Sequence, residues 1–129
     1  MTLDSQTLLA IAACVRSVEE LEVFLFLARH RERYCSPTMV AAETGLLTSA
    51  AATALETLAS RNLLDVRIGE AVLYKLDPAS AEARARVELA LQAAWQNRGA
   101  VIRSIIRGPS AAHDFADAFR VTRKRRSDG

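Results

Sequence analysis

The chain has 129 residues, half of them hydrophobic and a quarter charged, with 5 Gly and 3 Pro. This balance fits one globular domain and excludes collagen-like or long low-complexity stretches. Two cysteines are too few for a disulfide framework or a four-Cys zinc site within one chain. The net charge of +2 is divided unevenly: residues 1–79 carry 7 bases against 10 acids, and residues 80–129 carry 10 bases against 5 acids. A basic end of this kind suits nucleic acid or another acidic partner.

At the N-terminus, Asp4 or Ser5 can cap a short helix that packs its Leu and Ala face on the body. Ile11-Ala12-Ala13-Cys14 has the form of a lipoprotein cleavage box. The head that precedes it, Met1 to Gln6, holds one acid and no base, which is the wrong sign for a secretion signal. The chain has no apolar run of the length, about 18 residues, that spans a membrane, so a cytoplasmic protein is expected.

Ser17-Val18-Glu19-Glu20 forms a capping box, and Leu21, Phe24, Leu25, Leu27 and Ala28 follow at helical spacing, which predicts a helix from Val18 to Glu32. Ser36-Pro37 opens a second helix, closed near Thr44 by Gly45 at the left-handed position. Thr48 is the expected N-cap of a third helix, Ser49 to Arg61, with Asn62 as its left-handed stop. In that helix Ala51, Ala54, Leu55 and Leu58 share one side, and Ser49, Ala52, Thr53, Glu56 and Ser60 the other. Two helices joined by a short Gly-containing turn form a helix-turn-helix pattern. Leu63–Arg67 and Ala71–Leu76 then read as strands joined by Ile68-Gly69-Glu70, a hairpin directly behind the helix pair.

From Ala79 to Arg107 the pattern is helical again, with Gly99 as the weak point. Val87, Leu91, Ala94, Arg98, Val101 and Ile105 form a stripe that Trp95, Ile102 and Ile106 widen. Such a seam needs the domain itself or a second copy to cover it. Of this set Val87, Leu91, Trp95, Ile102, Ile105 and Ile106 are the candidate dimer contacts. Gly108-Pro109 ends the helix, and Ser110 caps a last one carrying Phe115 and Phe119. The expected organisation is an N-terminal helix (1–16), a winged unit (17–79), C-terminal helices for dimerisation (80–120) and a basic tail (121–129).

The element order resembles the winged-helix bacterial regulators of the MarR and ArsR kind. It is supported by Arg16-Ser17-Val18-Glu19-Glu20-Leu21-Glu22, Leu58-Ala59-Ser60-Arg61-Asn62-Leu63-Leu64 and Tyr74-Lys75-Leu76-Asp77-Pro78. Phe115-Ala116-Asp117-Ala118-Phe119-Arg120 also resembles the tail of small bacterial winged-helix proteins. The resemblance implies a mainly helical fold with one β-hairpin, and a homodimer that binds double-stranded DNA with helix 49–61 in the major groove. Thr48, Ser49, Ala52 and Thr53 then face the bases, while Arg61, Arg67 and Lys75 serve phosphates. Arg120, Arg123, Lys124, Arg125 and Arg126 offer further backbone contacts.

One feature opposes that reading. Residues 36–60 contain no Lys or Arg but include Glu43 and Glu56, whereas nucleic-acid-binding folds carry a basic patch. Arg29, Arg31, Arg33 or the C-terminal tail must make good the deficit. Otherwise the chain is a winged-helix adaptor that docks another regulatory protein.

The sequence shows no phosphate loop, no nucleophile elbow and no metal-ligand spacing around His30 or His113, so neither an enzyme nor a cofactor is expected. Cys35 lies near Arg31 and Arg33, which would lower its pKa and allow redox sensing with Cys14; the plainer expectation is two free thiols.

Overall fold

The computed structural model describes residues 3–107. The order of elements is α1 (Ser5–Cys14), α2 (Val18–Arg29), α3 (Pro37–Thr44), α4 (Thr48–Ser60), β1 (Leu64–Ile68), β2 (Val72–Leu76), α5 (Ala81–Gln96) and α6 (Arg98–Arg107). No helix among these residues is long and apolar enough to cross a membrane.

Helix α2 is the centre of the core. Leu21, Val23, Phe24, Leu25, Phe26 and Leu27 are all buried, so the helix is apolar nearly all round and must be enclosed. α3, α4, α6 and β2 pack around it, while α1 lies against α5. Val40, Ala51, Leu55 and Leu58 close the core from α3 and α4.

Local chemistry sets most of the helix ends. Asp4 accepts the Thr7 N–H, Ser17 accepts that of Glu20, Ser36 that of Met39 and Ser80 that of Ala83, each satisfying an orphan donor of a first turn. Gly45 stands at φ 78 and Asn62 at φ 64, the left-handed stops that end α3 and follow α4.

Several boundaries differ from the sequence reading. α2 stops at Arg29, not Glu32, because the chain must turn for Cys35 to pair with β2: its N–H donates to Tyr74 O at 2.8 Å and its carbonyl accepts the Tyr74 N–H at 2.9 Å. α4 begins at Thr48 with Leu47 as N-cap and no side-chain capping bond, so Thr48 is a helical residue and not a cap. The hairpin pairs Leu64 with Leu76 through to Ile68 with Val72, leaving Gly69 to Ala71 as the turn. Gly69 does not use positive φ there.

The long helix expected over 79–107 is two helices, and the break falls at Asn97, not Gly99. Asn97 leaves helical geometry at φ −153, ψ 72, and its side-chain oxygen accepts the Ala100 N–H at 3.2 Å. An asparagine that bonds the local backbone competes with helix continuation. The turn lets α6 reach α1 and α2, where Arg98 pairs with Glu22.

Candidate nucleic-acid interface

The outer face of α4 is open. Thr48, Ser49, Thr53, Glu56 and Ser60 are exposed, Ala52 is half-buried, and Ala51, Ala54, Leu55 and Leu58 are sealed in the core. The two-sided pattern of this helix thus fixes which groups face outward. Ser49 and Thr53 line an open cleft of about 370 Å³ with Ser17, Glu19, Glu20, Ala50 and Ala54. The cleft brings acids of the first turn of α2 beside the helix that already lacks bases. Glu56 adds to this: after burial, its charge is the second cause holding the Tyr74 phenol above its ordinary pKa.

Arg61 is not on that open face. Its Nη1 donates to the Cys14 carbonyl at 2.7 Å and to Glu20 Oε1 at 2.6 Å, and both side chains are mostly covered. The phosphate role assigned to it by sequence is therefore corrected, because its guanidinium is engaged inside the molecule.

The hairpin keeps its two expected cations outside ion pairs. Among the described residues the ion pairs join Arg31 to Glu88, Arg61 to Glu20, Arg86 to Glu82 and Arg98 to Glu22. Arg67 instead lies over the Tyr34 ring, with its guanidinium carbon 4.2 Å from the centroid. Lys75 Nζ lies 5.3 Å from the same centroid. Sequence reasoning missed Tyr34, because nothing local announces a contact with a hairpin some thirty residues on. On the other face of the hairpin Tyr74 and Leu76 are buried, and Ile68 is exposed near the tip.

Of the three arginines after α2, Arg31 pairs with Glu88 at 2.7 Å and Arg29 lies 5.2 Å from the Trp95 ring centroid. Arg33 donates to the Met39 sulfur at 3.4 Å, beside the start of α3. His30 is half-buried and its ring lies 4.6 Å from that of Phe26. Arg120, Arg123, Lys124, Arg125 and Arg126, the expected helix after Ser110, and His113 lie outside the described residues.

The chain's own core covers much of the C-terminal stripe. Val87, Leu91, Ala94, Val101 and Ile105 are buried and Ile102 packs against them. Trp95 is 50% exposed and Ile106 73%. Leu91 and Trp95 line a shallow groove with Glu88, Gln92 and Gln96.

Both cysteines are buried free thiols. Burial pushes the Cys14 thiol up to about 11, against smaller opposing effects of Arg61 and Arg86. Cys35 moves the same way, with desolvation outweighing the hydrogen bond and charge of Arg33. The lowered pKa that redox sensing requires is therefore not found.

Comparison with solved structures bears on the whole arrangement. The chain is similar to the homodimeric winged helix-turn-helix DNA-binding domain of a possible ArsR-family transcriptional regulator from Mycobacterium bovis, solved in solution. The TM-score is 0.52 at 18% identity, covering 70% of this chain and 81% of that one. The fold is a winged helix-turn-helix. At this identity the likeness establishes fold and leaves function to the site. No family model matches the chain, and no curated protein matches its sequence. Within the winged fold α3 and α4 are the helix-turn-helix and β1–β2 the wing, with the Cys35–Tyr74 bridge adding a short third edge.

Proposed function

We propose that the chain is a DNA-binding transcriptional regulator of the ArsR or MarR kind that acts as a homodimer. Helix α4 enters the major groove, where Thr48, Ser49 and Thr53 meet base edges and Ala52 a thymine methyl. Arg67 and Lys75 take phosphates of the flanking backbone, and the basic residues between Arg120 and Arg126 add to the electrostatic attraction. The observation that carries this reading is the pairing of an open polar face on α4 with a contacting hairpin whose two cations stand outside the ion pairs of the described residues. Self-association is supported by the homodimeric neighbour and by the exposure of Trp95 and Ile106.

The test is selection of bound duplexes from a random pool by the full chain. A twofold dimer enriches a pseudo-palindrome whose half-sites lie roughly one helical turn, about 10 base pairs, apart or a multiple of it. Retention without any enriched sequence would remove the reading role of α4.

A second reading is favoured by one observation. Glu43 and Glu56 are exposed and no base lies between residues 36 and 60, so the α4 face also suits a basic protein surface. An adaptor of this kind captures a regulatory protein and leaves duplex DNA unbound.

A further inference from the structure

Tyr34 sits at the base of the wing with three charged residues around it. The adjacent Cys35 is fixed to Tyr74 by two backbone hydrogen bonds, which pins Tyr34 beside the sheet. Its phenol O–H donates to Asp65 Oδ2, and its ring supports the Arg67 guanidinium and the Lys75 ammonium. Asp65 is the cross-strand partner of Lys75 in the ladder, and Arg67 lies two residues further along the same strand. Residues so placed share one face of a sheet. An aspartate opposite one such cation and two residues from the other can pair with either. Here the tyrosine occupies its carboxylate, and none of the ion pairs among the described residues uses Asp65, Arg67 or Lys75.

We propose that Tyr34 is a positioning residue: by engaging Asp65 it keeps that carboxylate out of a direct ion pair with Arg67 or Lys75, and its ring holds the two cations as a preformed pair for the phosphodiester backbone of duplex DNA. The proposal rests on the DNA-binding reading above. Ordering the two long side chains before contact reduces the entropy lost on binding, and a guanidinium on an aromatic face keeps its N–H groups at the edge for phosphate oxygens. The hydrogen bond to Asp65 also raises the Tyr34 pKa above its ordinary value.

The experiment measures binding of a labelled random-sequence duplex to the full chain across a salt series. Tyr34→Phe keeps the ring but frees Asp65, which then pairs with Lys75 or Arg67. Affinity should fall several-fold, and the slope of log K against log salt should flatten by about 1 to 2, the value of one or two lost phosphate contacts. Tyr34→Phe combined with Asp65→Asn removes the released carboxylate and should restore affinity and slope, which a merely structural defect would not allow. Arg67→Ala should flatten the slope by about 1 for each protomer bound, in the unaltered chain and in the double variant alike. If the unaltered chain binds steeply with salt but Tyr34→Phe matches it, or the double variant is not rescued, the positioning role is overturned while DNA binding stands. If the unaltered chain does not bind duplex at all, both fall together.

Discussion

Arg61 and Glu20 meet at 2.6 Å where three helices converge. Arg61 caps the end of α4, Glu20 lies in the first turn of α2, and the same guanidinium nitrogen holds the carbonyl of Cys14, the last residue of α1. Glu20 Oε1 also accepts the Arg16 N–H at 2.8 Å, so one carboxylate serves both a helix start and a tertiary tie. The α1 carbonyl is an orphan acceptor that needs such a donor.

Removing this arginine leaves a largely covered carboxylate and a carbonyl short of a partner. Arg61→Ala should destabilise the fold by about 2–3 kcal/mol, the range for charge-assisted bonds that are mostly buried. Urea denaturation followed by circular dichroism gives the number. The salt slope of any DNA binding by the folded variant should be unchanged, because Arg61 does not face the ligand.

Cys14 makes stability depend on alkaline pH. Its folded pKa, about 11, is raised above the ordinary 9.0, so its contribution is fully present below pH 9 and is lost as pH rises toward 11. Thermal melts between pH 8 and 11 should show this decline, and Cys14→Ser or Cys14→Ala should reduce it. At pH 8 iodoacetamide should label neither thiol of the native chain and both in guanidinium chloride.

Trp95 and Val87 separate the outer side of the C-terminal helices from the inner side. Val87 is fully covered within the chain and Trp95 is half-exposed under Arg29. Val87→Ala should cost about 2 kcal/mol of stability through a core cavity. Trp95→Ala should cost about 1 kcal/mol or less, the value of an exposed cation–π contact. It should instead shift sedimentation from dimer toward monomer, and an unchanged dimer would place self-association on another face.

Much of the winged unit could be read from neighbours in sequence. Ser17, Ser36-Pro37, Gly45 and Asn62 act within three or four residues of themselves, and the alternation of Ala, Leu and polar residues assigns the two sides of α4 correctly. Arg61 was misplaced because its partners lie 41 and 47 residues away, and its local setting resembles that of any exposed helix end. Tyr34 gave no signal for the same reason: its partner Asp65 is 31 residues distant. Gly99 is the weakest helix former of the stretch, but tertiary packing of α6 and the side-chain bond of Asn97 set the break two residues earlier. The apolar stripe was real, yet periodicity alone could not distinguish a partner within the chain from a second copy.

The charge question decides the account. The reading face of α4 is free of bases, and the described cations outside ion pairs on the winged unit include Arg33, Arg67 and Lys75. The most direct measurement is binding of the full chain to duplex DNA as salt is raised from 50 to 200 mM. A linear fall of log K with log salt, with a slope of about −3 or steeper, is predicted for three or more neutralised phosphates. No measurable binding at 50 mM salt, or an affinity that does not change across the range, would contradict it.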